Sequence, residues 1–149
     1  MSRTFLWPQG YTSAAMISVN LDAEFYGRIF YPGIDVSEGD IQRLGWTGME
    51  YGLPHLLDCF REHGVKGTFF IPGRVAELYP DAVRAIADAG HELGCHGYEH
   101  EILAHFTPEE QLELLKKAKA AIEKAAGRAV TGFRMPEGEI TEQTLVAAK

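Results

Sequence analysis

Apolar residues in this chain fall in short unbroken runs separated by stretches of helical period. The first run is residues 14–21, Ala-Ala-Met-Ile-Ser-Val-Asn-Leu, and the second is residues 66–71, Lys-Gly-Thr-Phe-Phe-Ile. A third covers residues 91–95 and a fourth residues 130–133. Runs this short, bounded by Gly and Pro, predict strands buried on both faces of a parallel sheet. Between them, Leu53, Leu56, Leu57 and Phe60 share one face of a helix over 53–63, with Pro54 in its first turn and Gly64 at its cap. A second helix is predicted over 75–89, with Pro80-Asp81 near its start or at a break within it, and Gly90 ending it. Thr107-Pro108-Glu109-Glu110 is a strong helix start, and Leu112, Leu115, Ala118 and Ile122 carry that helix to Gly127. A last helix begins at Thr141 and runs to the final residue without a capping signal.

Strict alternation of strand and helix predicts an α/β fold, a parallel sheet with right-handed crossovers and its ligand site at the carboxyl ends of the strands. The polar residues fit that geometry. Asp22 closes the first strand, and Asn20, Asp22 and Glu24 point the same way if the strand persists. The aromatic, glycine-rich stretch 25–50, with Phe30, Tyr31, Pro32-Gly33 and Trp46, shows no clean period and reads as a long loop able to wall a pocket. His96 follows the third strand and His100 comes four residues later, a spacing that shares one helical face or converges from a tight loop at a strand end. Arg134-Met135-Pro136-Glu137-Gly138 follows the fourth strand. A carboxylate and two imidazoles are ligands for zinc and similar divalent cations. His55, His63 and His105 read as surface or helix-end residues, and Cys95 as a small buried strand residue.

Composition narrows the function classes. A chain of 149 residues with 46% apolar and 23% charged side chains suits one domain with a real core. A net charge of −7 disfavours nucleic acid and anionic membranes as partners. There is no transmembrane run and no signal-like start, and two cysteines are too few for a disulfide framework, so a cytoplasmic address is expected.

Asn20-Leu21-Asp22-Ala23-Glu24, Gly67-Thr68-Phe69-Phe70, the block Gly90 to Glu101 and Gly132-Phe133-Arg134-Met135-Pro136 together resemble the polysaccharide deacetylase family, also called the NodB-homology or carbohydrate esterase 4 group. The branch they resemble holds peptidoglycan deacetylase homologues and cyclic imide or allantoin amidohydrolases, and Trp7-Pro8-Gln9-Gly10 fits it as well. The resemblance implies a distorted (β/α) barrel of about seven strands, of which residues 1–149 supply roughly the first half. It implies one divalent metal, zinc first, held by Asp22, His96 and His100, and hydrolysis of a carbon–nitrogen bond in a small-molecule or sugar amide. Arg134, Glu137, Glu24 and Asn20 are then the expected catalytic set, and Tyr26, Trp46, Tyr98 and Pro136 the expected substrate contacts.

Two departures qualify this. Many members carry a general-base aspartate just before the metal aspartate, whereas here Leu21 precedes Asp22 and Asn20 stands two before it. An amide cannot take a proton from water, so Glu24 or Glu137 replaces the base, or metal-bound hydroxide suffices. The family's later motifs lie in the second half of the barrel. A half-barrel leaves open sheet edges, so a homo-oligomer covering the open side is expected. The competing reading is a metal-binding or assembly module that has lost its chemistry.

Overall fold

The computed structural model describes residues 7–8, 10–26 and 37–149. Four parallel strands form one sheet in the order β1 (Ser18–Asn20), β2 (Thr68–Ile71), β3 (Glu92–Cys95), β4 (Gly132–Phe133). Helices alternate with them: α1 (Glu38–Thr47), α2 (Leu53–Glu62), α3 (Gly73–Leu78), α4 (Pro80–Asp88), α5 (Pro108–Ala126) and α6 (Glu142–Ala147). Register places Asn20, Phe70, Gly94 and Gly132 in one row across the sheet. The ladder continues past the strand ends, since Leu21 N–H donates to Phe70 O, His96 N–H to Ile71 O and Arg134 N–H to Cys95 O. Those rungs bring residues 22, 96 and 134 off the sheet along one edge.

One face of the sheet is sealed by helices. Phe69 and Ile71 of β2 and Leu93 and Cys95 of β3 are buried there, with Val75, Val83, Ile86 and Ile122 wholly enclosed above them. The α5 helix begins with a full capping box, Thr107 and Glu110 exchanging side chain-to-backbone bonds, and ends at Gly127 with φ of 68°. On the other face Phe70 lies against Gly94, where a Cβ would come within 2.6 Å of the Phe70 ring. Among the described residues no helix is long and apolar enough to cross a membrane.

Two expectations change, and a third resolves to one of its alternatives. The run 14–21 is not a strand buried on both faces: β1 is confined to Ser18–Asn20, and Met16 and Ile17 are 77% and 45% exposed. The strand lies at the sheet edge, hydrogen-bonded to β2 alone among the described strands, so its apolar lead-in lacks a second wall. The stretch 25–50 is not one loop, because its second half is α1 followed by a π-helical turn (Gly48–Gly52) that runs straight into α2. The signal was present: Ser37 accepts from Asp40 N–H as N-cap, and Ser-Glu-Gly-Asp precedes Ile41 and Leu44. Phe30, Tyr31 and Pro32-Gly33 of that stretch, and Gln9 of the lead-in, lie outside the described residues. Of the two readings of the helix over 75–89, the break at Pro80 is the one observed: α3 and α4 meet at Tyr79 (φ −126°) immediately before Pro80.

The α3–α5 crossing is set by a glycine. A Cβ on Gly73 would lie 2.5 Å from Ala118 Cα and 2.8 Å from Tyr98 Cδ2, both in the packed layer. Gly73→Ala is expected to destabilise by about 1–3 kcal/mol through overpacking. Gly48→Ala, where a Cβ meets nothing within 4 Å, should be neutral or slightly stabilising. Thermal melts of the two variants check this, and equal melting temperatures would contradict it.

Candidate metal centre

Asp22 is delivered by the last rung of β1 and then held by a sharp turn. The chain leaves the strand into a 3₁₀ turn (Ala23–Phe25), with Ala23 at φ of 47°. Gly45 of α1 packs directly on this turn, since a Cβ there would stand 2.4 Å from Glu24 N. His96 comes off β3, and its Nδ1 lies 2.8 Å from Arg134 O. His100 sits at φ of 62° in the loop that follows. Glu101 braces that loop by accepting from Tyr98 N–H at 2.9 Å and Glu99 N–H at 2.5 Å. From the other side, Gly73 and Arg74 N–H donate to the carbonyls of Gly97 and Tyr98.

Ala23, His100 and Glu137 are the non-glycine residues with positive φ among those described. All three belong to this site. Left-handed backbone costs an L-residue about 1–2 kcal/mol each, and such strain persists where surrounding contacts over-determine it.

Ligand-capable atoms of three residues face one another. Asp22, His96 and His100 are buried, and one ligand atom from each lies within 4.8 Å of the others. Asp22 Oδ1 stands 3.7 Å from His96 Nε2, and Asp22 Oδ2 stands 3.8 Å from His100 Nε2. Both are too long for hydrogen bonds. Asp22 Oδ1, His96 Nε2 and His100 Nδ1 are buried with no hydrogen-bond partner.

Burial drops the His96 imidazole to about 4, against the lesser upward pull of its bond to the Arg134 carbonyl, so it is neutral near pH 7. A carbonyl only accepts, so Nδ1 carries the proton and the bare Nε2 lone pair faces the carboxylate. Burial also raises the Asp22 carboxyl, with His100 pulling it down and Glu137 pushing it further up. Lone pairs aimed at each other in a buried site repel, and a cation between them turns that repulsion into attraction. Two ligands each about 2.1 Å from a zinc-like cation stand at most about 4.2 Å apart, and the observed pairs fall inside that limit. The donor set therefore fits a divalent metal.

The remaining candidates divide into two groups. Arg134 spans the open face of the sheet: its Nη1 donates to Asn20 Oδ1 at 2.8 Å, its Nη2 to Ser18 Oγ at 2.7 Å, and its guanidinium lies 4.1 Å over the Phe70 ring. Glu137 places Oε1 3.7 Å from His100 Nδ1. Pro136 is buried against Gly97. Tyr26 lines a cleft of about 480 Å³ with Asn20 and Asp22.

The others stand elsewhere. Glu24 is turned aside by the 3₁₀ turn and accepts from Tyr79 O–H at 3.2 Å; the strand does not persist, so Glu24 does not share a face with Asp22. Trp46 lines a separate cleft with Glu24. Tyr98 is buried in the helix layer, donating to Glu77 at 2.9 Å with Lys117 over its ring. Cys95 is buried, donates to Gly97 O, and burial pushes its thiol up to about 12. His55, His63 and His105 are exposed, while His91 is buried at the far end of β3, its Nδ1 accepting from Gly67 N–H.

Sequence reasoning missed Glu101, Gly45 and Ser18. Glu101 directly follows His100, the kind of spacing that signals a loop brace. Nothing local marks the other two, because their partners lie far along the chain.

A family profile described as polysaccharide deacetylase matches residues 45–149. The chain belongs to the polysaccharide deacetylase family. His96, His100 and Arg134 lie inside the matched span; Asp22 lies ahead of it and joins them through the fold. A peptidoglycan deacetylase from Helicobacter pylori is 37% identical over 114 residues, 76% of this chain and 38% of its own length. A Mycobacterium smegmatis crystal structure assigned to the polysaccharide deacetylases superposes with a TM-score of 0.82 at 31% identity, covering 97% of this chain and 50% of that one. A carbohydrate esterase 4 pseudoenzyme from Bacillus anthracis superposes with a TM-score of 0.68 at 26% identity, covering 89% of this chain and 38% of that one. A mutant of the same pseudoenzyme is described as having restored enzymatic activity. The chain thus spans half or less of the length of these relatives.

Elemental analysis of the purified chain should find one divalent metal per chain, lost in His96→Ala and in Asp22→Ala. Equal metal content in wild type and both variants would remove the assignment.

Proposed function

We propose that this domain carries the metal centre of a hydrolase that cleaves the amide carbon–nitrogen bond of N-acetylated sugars in a glycan. The carrying observation is the buried cluster of Asp22, His96 and His100 at the carboxyl edge of the sheet, one ligand-capable atom from each within 4.8 Å of the others. Family membership and the peptidoglycan deacetylase of H. pylori support the substrate class. The ligand set, one carboxylate and two imidazoles, suits zinc. A divalent cation there would act as a Lewis acid toward an amide carbonyl and acidify a water molecule.

The chain's own residues do the rest. The Arg134 carbonyl orients His96 and keeps its Nε2 available as a lone pair. Glu137 brings its carboxylate to 3.7 Å from His100 Nδ1 and is placed to hold a proton during turnover. Glu24, engaged by Tyr79, is not so placed.

One observation favours the second reading, a binding module with residual or no turnover. Asn20 takes the position two before Asp22 and gives its carbonyl oxygen to Arg134; an amide neither accepts nor relays a proton at neutral pH. Zinc-loaded protein should release acetate from an N-acetylated chito-oligosaccharide, and Asp22→Ala should abolish release. Asn20→Asp is expected to raise turnover by about 10²-fold or more, the scale of a general base, and Glu137→Gln to lower it. Absence of acetate release from wild type and Asn20→Asp alike would reject the hydrolase reading.

The proposal extends to self-association. Met16 at the β1 edge and Leu145 and Val146 on α6 are 77%, 52% and 70% exposed, apolar surface of the kind that pairing between chains covers. Light scattering at micromolar concentration should show an oligomer, and a monodisperse monomer would contradict this.

A further inference from the structure

We propose that Tyr79 and Glu24 are positioning residues for the Asp22 carboxylate, and that α3 is the brace that sets its distance from His100. α3 touches both segments that carry this part of the cluster. At its amino end, Gly73 and Arg74 N–H donate to the carbonyls of Gly97 and Tyr98, at 3.0 and 2.8 Å, in the loop that leads to His100. At its carboxyl end, Tyr79 Oη donates to Glu24 Oε2 at 3.2 Å, in the turn that follows Asp22. That bond joins residues 55 positions apart, so no local structure requires it. The positioning role rests on the metal reading of Asp22, His96 and His100; the ties themselves do not.

The brace is short and firmly seated. α3 has six residues, a length of about 9 Å at 1.5 Å per residue. Val75 and Ala76 are buried in the core, and Gly73 lies so close to α5 that a Cβ would stand 2.5 Å from Ala118 Cα. Close packing of this kind keeps the helix from sliding on the layer beneath it. Tyr79 N–H donates to Val75 O at 2.8 Å, which ties its backbone to the last turn of α3. The break before Pro80 (Tyr79 φ −126°, ψ 53°) then takes the residue out of the helical path. On the receiving side, Phe25 N–H donates to Asp22 O at 2.9 Å and closes the 3₁₀ turn, so Asp22 and Glu24 move together. Gly45 of α1 covers the backbone of the same turn. Glu24 therefore acts through Asp22, rather than on substrate as expected from sequence. Cutting a support one step behind a metal ligand typically changes metal affinity by roughly 10- to 100-fold.

Two measurements on the full chain test the tie: zinc affinity by competition with a chromogenic chelator, and the visible spectrum of the cobalt(II)-loaded protein. Tyr79→Phe removes the hydroxyl alone, and should weaken zinc binding by about tenfold or more and alter the cobalt spectrum. Glu24→Ala should do the same, and the double variant should be no worse than either single one. Glu24→Gln keeps an oxygen that accepts from the phenol and should hold wild-type affinity. Thr144→Val breaks the buried Thr144–Gln111 bond of 2.7 Å between α6 and α5. It should lower the melting temperature and leave zinc affinity and the cobalt spectrum unchanged. Wild-type affinity and spectrum in both Tyr79→Phe and Glu24→Ala would overturn the tie. So would a loss in Glu24→Gln equal to that in Glu24→Ala, or a loss in Thr144→Val equal to that in Tyr79→Phe. A wild type that binds no zinc would overturn the metal centre itself, and the positioning role with it.

Discussion

A buried carboxylate set 3.7 Å and 3.8 Å from two buried imidazoles is the constraint around which this edge of the molecule is arranged. Folding alone would avoid it, because an unpaired buried acceptor is costly and a buried carboxylate more so. The fold nevertheless fixes the confrontation from several directions. Ladder rungs to Phe70 O and Ile71 O set the levels of residues 22 and 96, and the Arg134 carbonyl fixes the tautomer of His96. Glu101 and the first residues of α3 clamp the loop bearing His100. Strain is concentrated in the same place, at Ala23, His100 and Glu137. Local unfavourable terms that gather at one point, held by good packing beneath, mark a site shaped for a ligand.

The parallel sheet and the His96–His100 pair were legible in the sequence for a common reason: each depends on residue type at short range. Apolar runs specify buried strands, and a His pair at a strand end keeps its spacing whatever the rest of the fold does. Glu24 was misplaced because its direction depends on where β1 ends. Alternation would have set it beside Asp22, but the backbone turns at Ala23, and the close seat of Gly45 of α1 makes that turn. Tyr98 was misplaced similarly, since Gly97 at φ of 73° sends the next side chain into the helix layer. The start of α1 was readable from its Ser37 cap, but four glycines between 39 and 52 weakened the helical signal that follows.

Arg134 shows why a matched motif is not by itself evidence of catalysis. Its side chain links β4 to β1 across Phe70, bonding Ser18 and Asn20. That link closes the open face of the sheet whether residue 20 is a carboxylate or an amide. With an aspartate there, the arginine would neutralise it and hold it ionised. With asparagine the hydrogen bond survives and the charge pair does not, while Ser18 and the Phe70 ring still occupy the guanidinium. The link from Arg134 to Ser18 and Asn20 is thus a structural tie of the sheet, and its geometry is the same under both readings. The Asp22–His96–His100 cluster differs in this respect, because its buried carboxylate and imidazoles form a donor set that fits a divalent cation. A metal-ligating geometry and a proton-transfer group are therefore separable properties of this edge: the first is carried by Asp22, His96 and His100, while the amide at residue 20 accepts from Arg134 without a charge to offer a proton.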